Sequence, residues 1–185
     1  MLRTFDIIKE LEKNRQECNI SRDTIEFISI ISNYKKPKKV LEIGCFNGYS
    51  ALWFSLFSKK VISLEIDKDN IKMAKENFEK ARVKNIEIIE GNAIDSLKAL
   101  EKDFDVILID GKKSEYKKYL ELSLNLIKKD GIIFVDNTIS HKEKLTEFFE
   151  FLKQNKLFFK ELRIGKGLTL ISKCDSLTKN LSENF

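Results

Sequence analysis

From residue 38 onward, short apolar runs alternate with longer amphipathic stretches. The runs are Val40-Leu41-Glu42-Ile43, Val61-Ile62-Ser63-Leu64-Glu65, Ile86-Glu87-Ile88-Ile89, Val106-Ile107-Leu108-Ile109 and Ile132-Ile133-Phe134-Val135. Each is short, rich in Val and Ile and nearly unbroken by polar residues, as strands of a parallel sheet covered on both faces must be. Between them Ile71, Ala74, Phe78 and Ala81 recur at three- and four-residue spacing. Tyr116, Leu120, Leu124 and Ile127 do the same, as do Leu145, Phe148, Phe149 and Leu152. Each set draws one apolar stripe along a helix that faces the sheet. Regular strand–helix alternation predicts βαβ units and a doubly wound α/β fold.

The two ends of the chain depart from this rhythm. Before the breaker Lys36-Pro37-Lys38, helices are predicted near residues 3–17 and 21–32, the second with Ser21 at its N-cap and Ile25, Phe27, Ile28, Ile30 and Ile31 on its apolar face. At the other end Leu157 to Leu162 and Leu168 to Ile171 read as strands separated only by Arg163 to Gly167. That gap is too short for a crossover helix, so these two strands are expected to form an antiparallel hairpin. The prediction is one domain over 1–173, with N-terminal helices in 1–36, a seven-stranded, mostly parallel sheet in 38–173, and a frayed polar tail in 174–185.

Composition adds limits. Apolar residues make up 42% and charged residues 34% of the 185 residues, which fits a packed core under a charged surface. Arg3, Asp6, Lys9 and Glu10 leave no room for a secretory leader, and no apolar run approaches the roughly 20 residues that cross a bilayer. Cys18, Cys45 and Cys174 are odd in number and widely spaced, which gives neither a disulfide framework nor a zinc site. A reduced, cytoplasmic protein is expected. The net charge of +5 comes almost wholly from lysine, with clusters at Lys35, Lys36, Lys38 and Lys39 and at Lys112, Lys113, Lys117 and Lys118. Such clusters are either solvated faces or patches for an anionic partner such as RNA.

Ligands of a doubly wound sheet bind beyond the carboxyl ends of its strands. After the first strand comes Glu42-Ile43-Gly44-Cys45-Phe46-Asn47-Gly48-Tyr49-Ser50, whose glycines allow a tight turn into a helix start. A dinucleotide fingerprint would require glycine at Phe46 and at Tyr49, which makes a nicotinamide oxidoreductase a minor alternative. The second strand ends in Glu65, before Ile66 and Asp67, and a carboxylate there can accept both hydroxyls of a ribose. Together with the Gly44–Gly48 loop it points to an adenosine-containing cofactor. Gly91-Asn92-Ala93, after the third strand, would pass beside the adenine, although Asn92 equally suits a helix N-cap. The fourth strand ends in Asp110 and the fifth in Asp136 and Asn137. Neighbouring parallel strands lie about 4.8 Å apart, so these three hard oxygen donors should converge and suit a divalent cation such as Mg²⁺.

Three segments resemble the catechol and caffeoyl-coenzyme A type O-methyltransferases: Glu42-Ile-Gly-Cys-Phe-Asn-Gly-Tyr-Ser50, Ile109-Asp-Gly-Lys-Lys-Ser-Glu-Tyr116 and Val135-Asp-Asn-Thr138. The resemblance runs from about Val40 to Ser172. It implies a Rossmann-like methyltransferase fold and a cation-dependent class I enzyme that uses S-adenosyl-L-methionine. Glu42 to Ser50, Cys45, Phe46 and Tyr49 included, would then form the cofactor loop, with the cofactor's methionine near Gly44 and Gly48. Its ribose would lie on Glu65 beside Ile66, and its adenine near Asn92 and Ala93. Asp110 would serve cofactor, metal and catalysis, with metal also on Asp136 and Asn137, and Lys113 matches the family's catalytic lysine. Where the family reads Asp-Ala-Asp-Lys, this chain has Asp110-Gly111-Lys112-Lys113.

Acceptor identity does not follow from these motifs. A small catechol-like hydroxyl is expected, with a hydroxylated base of tRNA as the alternative and a non-catalytic cofactor-binding module as a lesser one. His141 reads as a surface helix-start residue and Trp53 as core. Phe148, Phe149, Phe151, Phe158 and Phe159 read as either core or a homodimer surface.

Overall fold

Seven strands form a single sheet in the order β3-β2-β1-β4-β5-β7-β6 in the computed structural model, which describes residues 2–174. The strands are β1 (Lys39–Ile43), β2 (Lys60–Glu65), β3 (Ile86–Glu90), β4 (Phe104–Ile109), β5 (Ile127–Asp136), β6 (Phe158–Leu162) and β7 (Leu168–Ser172). The first five pair in parallel, whereas β7 runs antiparallel between β5 and β6. The expected doubly wound sheet with a closing antiparallel hairpin is therefore present. All of the expected tail except Cys174 lies outside the described residues.

Strand alternation sorts the core into two layers. Val40, Val61, Val106, Leu108, Ile132 and Phe134 face one side, under α1 (Leu2–Lys13), α2 (Arg22–Tyr34), α3 (Tyr49–Ser55) and α4 (Lys68–Ala81). Leu41, Ile43, Ile62, Ile107, Ile109 and Ile133 face the other, under α5 (Ala93–Ala99), α6 (Tyr116–Leu126) and α7 (Thr146–Gln154). The Phe-rich stretch belongs mainly to this second layer. Phe148 is fully buried there, Phe149, Phe151 and Phe159 pack against it, and only Phe158 is exposed.

The amino ends of the central strands are tied by one carboxylate. Asp105 Oδ2 accepts the backbone amides of Lys38 and Lys39 at 2.8 and 2.9 Å, and Oδ1 accepts Lys128 Nζ at 2.8 Å. This joins β1, β4 and β5 at the end opposite the candidate site. The Lys35–Lys39 cluster lies at that same end, with Lys39 over the Phe104 ring at 4.5 Å.

Helix boundaries differ from expectation in α1 and at the end of α6, where Ile127, expected on the helical stripe, opens β5 instead. Ser21 caps α2 as expected, its Oγ accepting Thr24 N at 3.1 Å. The first helix stops at Lys13 instead of continuing to residue 17. Beyond it, Asn19 Oδ1 accepts Gln16 N at 3.1 Å, and the Arg15 guanidinium donates to the carbonyls of Asn19 and Ile20. Side chains thus supply the partners that a further helical turn would have supplied, and the helix gives way to a connection over 14–21.

Phe134, fully buried in the middle of β5, gives a direct test of the two-layer core. Phe134→Ala is expected to cost about 3–5 kcal/mol, read as a lower urea midpoint at unchanged slope.

Candidate active site

Strand order reverses on either side of β1, where β2 leads one way and β4 the other, and a crevice opens beyond their carboxyl ends. On its floor the loop after β1 passes directly over the end of β4. Gly44 has φ +99°, and a Cβ there would overlap the carbonyl oxygen of Asp110. No other residue type allows this approach. Gly44 N donates to Leu64 O and Asp110 N to Ile43 O, both at 3.0 Å, so β2, β1 and β4 are locked together at the crevice.

Two cavities meet here. The first, about 360 Å³, is lined by Gly44, Cys45, Phe46 and Ser50 from the loop, by Glu65 and Ile66 from β2, and by Asn92 and Ala93 after β3. Asp110 closes its inner end. Glu65 is held by three amides: Phe46 N at 2.8 Å on Oε2, and Ile66 N and Asp67 N at 2.8 and 3.0 Å on Oε1. Asn92 does both things expected of it, lining the cavity while its Oδ1 caps α5 by accepting Ile94 N at 2.9 Å.

Three residues of the cofactor motif stand behind the cavity wall. Gly48 caps α3 against the Phe78 ring, and Tyr49 donates its hydroxyl to Glu12 at 2.8 Å. Glu42 is fully buried; its Oε2 accepts the Ser63 hydroxyl, the Ser50 hydroxyl also favours its charged form, and its Oε1 has no hydrogen-bond partner among the described residues. Burial pushes its carboxyl up to about 8, against the lowering effect of those two hydrogen bonds.

The second cavity, about 570 Å³, is lined by Asp110, Lys113, Asp136 and Asn137 among others, and shares Asp110 and Gly111 with the first. The register Ile109↔Val135 sets Asp110 and Asp136 at equivalent positions on adjacent strands. Lys113 Nζ donates to Asp110 Oδ1 at 3.0 Å and to Gly111 O at 3.2 Å. Asp136 is 2% exposed; its Oδ2 accepts Asn137 Nδ2 at 3.0 Å, and its Oδ1 is buried without a hydrogen-bond partner among the described residues. Asn137 takes a left-handed φ of 63° to bring its amide there. Burial, and then the neighbouring Asp110 charge, raise the Asp136 carboxyl to about 7. Burial also raises Asp110, with Lys113 opposing it.

With this geometry in place the chain can be compared with known proteins. A family model described as O-methyltransferase matches residues 4–173. The chain belongs to this family. Tapetum-specific methyltransferase 1 of Arabidopsis thaliana is 27% identical over 201 residues, covering 91% of this chain and 86% of that protein. The catechol O-methyltransferase of Niastella koreensis is 30% identical over 144 residues, covering 74% of this chain and 65% of that one. Among solved structures, the SAH-bound Podospora anserina methyltransferase PaMTH1 superimposes with a TM-score of 0.83 at 26% identity, over 93% of this chain and 88% of that one. The fold, the family and an enzyme of the S-adenosylmethionine-dependent O-methyltransferase type agree with the sequence motifs.

The O-methyltransferase assignment gives the connection over 14–21 a role that the motifs did not indicate. Cys18, Asn19 and Ile20 line both cavities, and Arg15 lines the second. Asn19 Nδ2 donates to Asn47 Oδ1 at 2.7 Å, which ties this connection to the cofactor loop. Periodicity missed it because a segment without apolar repeats carries no register. Its one legible signal is the polar run from Asn14 to Asn19, which interrupts a helical stripe.

The lysine cluster divides. Lys112, paired with Glu115 at 3.0 Å, lines the first cavity and Lys113 the second, whereas Lys117 and Lys118 line neither and pair with Glu147 and Glu121 at 3.4 and 2.8 Å. His141 is half-buried and hydrogen-bonded through Nδ1 to Ser140 Oγ at 2.9 Å, near enough for its charge to lower Asp110. No helix of the described residues is long and apolar enough to cross a membrane.

Two measurements check this geometry. Gly44→Ala is expected to weaken S-adenosylhomocysteine binding in calorimetry by more than about tenfold, since both the backbone angle and the Asp110 approach forbid the methyl group. For Glu42, a carboxyl raised from its ordinary 4.5 to about 8 favours the folded state while protonated, a contribution lost as pH rises toward 8. Glu42→Gln should therefore make the fall of Tm between about pH 5 and pH 8 shallower, leaving the part due to Asp136.

Proposed function

We propose that the protein transfers a methyl group from S-adenosylmethionine to a hydroxyl of a small catechol-like acceptor, with a divalent cation, Mg²⁺ by its donor set, held by Asp110, Asp136 and Asn137. The observation that carries this reading is the buried, unpartnered Asp136 Oδ1 beside Asp110, in a cavity that opens onto the cofactor cavity at Asp110. A buried carboxylate beside a part-buried one is repelled by it and poorly solvated, an arrangement that a cation relieves. The donors fit one. Asp136 Oδ1 is free, Asp110 uses only Oδ1 on Lys113, and Asn137 uses its Nδ2 on Asp136, which leaves its oxygen. All are hard oxygens of the kind Mg²⁺ takes.

When bound, the cation supplies Lewis-acid polarisation of the acceptor oxygen, which lowers the hydroxyl pKa. The other roles belong to the chain. A sulfonium methyl is already an activated electrophile, so placement is the main task. Glu65 holds the ribose, the Gly44–Phe46 backbone seats the methionine end, and Asn92 with Ala93 borders the adenine, so that the methyl group faces the junction at Asp110. Lys113, whose ammonium sits 3.0 Å from Asp110 Oδ1 and 5.0 Å from the Tyr116 ring centre, provides positive charge for the oxyanion that forms as the hydroxyl loses its proton. The Cys18–Ile20 connection lines both cavities and so borders the junction.

A cavity of about 570 Å³, open to solvent on one side, has room for a small acceptor. Lys112, Lys117 and Lys118 each pair with a glutamate, which offsets three of the four charges that favoured tRNA. Asp136→Ala is expected to lower metal-stimulated methyl transfer to a catechol by roughly a hundredfold or more, because several kcal/mol of charge stabilisation go with the cation. S-adenosylhomocysteine affinity should stay within about threefold, as Asp136 does not line the cofactor cavity. Full activity of native enzyme in chelator would remove the cation from the mechanism, and methylation of tRNA but of no phenol would move the function to RNA.

A further inference from the structure

Lys166 lines the second cavity from the turn between β6 and β7, and the catalytic scheme above leaves it without a role. The turn is clamped from two directions. Its carbonyls at Lys166 and Gly167 accept the amides of Ile139, Ser140 and Thr138, which fastens it to the loop after Asn137. Gly165 packs against the hydroxyls of Ser21 and Thr24, and Gly167 against the backbone of Ile139, so closely that a Cβ at either would collide. The backbone of Lys166 is thereby fixed while its side chain stays exposed. Its charge reaches Asp110 and Asp136. It forms no ion pair among the described residues.

Arg15 faces the same cavity, its guanidinium held by the carbonyls of Asn19 and Ile20 and not by a carboxylate. The acids of the lining are Glu17, Asp110 and Asp136. Asp110 is matched by Lys113 at 3.0 Å. Once a divalent cation occupies the carboxylate pair, Arg15 and Lys166 stand against Glu17 alone, and the acceptor cavity carries surplus positive charge. A neutral phenol leaves that charge unanswered. An acceptor with an anion at its far end from the reacting hydroxyl answers it.

We propose that the acceptor bears a carboxylate or phosphate group on or near its hydroxylated ring, and that Lys166, assisted by Arg15, is the residue that selects it. This rests on the second cavity being the acceptor site, as in the function proposed above. Because Lys166 sits at the rim and not at the reacting atoms, it acts on acceptor capture, hence on KM, and its effect is screened by salt.

The test compares catechol with protocatechuate, the same ring carrying a carboxylate, and adds bulk cellular tRNA, hydroxylated bases included, as a source of phosphate. Native enzyme with Mg²⁺ is expected to favour protocatechuate by roughly tenfold in kcat/KM, a charge-assisted contact's worth. Lys166→Met should collapse that ratio through the KM of the anionic acceptor, and Lys166→Arg should keep it. Calorimetry on the S-adenosylhomocysteine complex should show protocatechuate binding native protein more tightly than Lys166→Met, with the gap closing as salt is added. Equal kcat/KM for the two phenols, or the same ratio in Lys166→Met, overturns the role of Lys166 while leaving methyl transfer in place. Methylation of tRNA alone, with its KM raised in Lys166→Met, keeps Lys166 as the selector, identifies the anion as RNA phosphate and overturns the small acceptor. If none of the three is methylated and protocatechuate does not bind, both the proposed function and this inference fail.

Discussion

The closeness with which the loop after β1 crosses the end of β4 governs the rest of the site. Gly44 lies against the Asp110 carbonyl with no room for a side chain, and that contact sets how near the two cavities come. Had the loop stood one methyl group further out, the first cavity would end above Asp110 and the second below it. Instead Asp110 and Gly111 belong to both walls. In-line group transfer needs donor and acceptor within van der Waals reach, and the missing Cβ is what permits it.

A second constraint is electrostatic. Three carboxyl groups, on Glu42, Asp110 and Asp136, sit near the carboxyl ends of neighbouring strands with little access to water, and each is raised by burial first. They resolve their situation differently. Glu42 has a serine hydroxyl on one oxygen, the other buried and bare, and favours a proton. Asp110 has Lys113. Asp136 has one amide and one bare oxygen, and unlike Glu42 it faces a cavity. A buried polar atom without a partner is expensive, and such atoms persist where something else is to be bound.

Much of this was readable in the sequence because strand ends are addressable. A run such as Val106 to Ile109 fixes the position of the next residue to within one place, so Asp110, Asp136, Glu65 and Asn92 could be named from pattern alone. The distinction between cavity wall and cavity support could not. Glu42 and Tyr49 share the motif of Gly44 and Phe46, yet their side chains turn into the core and toward Glu12. That difference is a matter of which face of a turn a residue occupies, and spacing does not encode it. The 14–21 connection was illegible for a related reason. It is held by hydrogen bonds between side chains and distant backbone, as in Arg15 to Ile20 and Asn19 to Asn47, and these have no periodic signature. Of the Phe-rich segment, Phe148 took a core position, Phe149, Phe151 and Phe159 pack part-buried against that layer, and Phe158 stays exposed.

Asp105 divides the labour of the sheet along its length. By gathering two amides of the first strand and a lysine of the fifth, it anchors three strands at the edge remote from the ligands. The opposite edge is thereby relieved of holding the architecture together. Loops there can be lengthened, recharged or exchanged without unzipping the strands beneath, so a scaffold of this kind can acquire a new clientele of molecules while its foundations stay as they are.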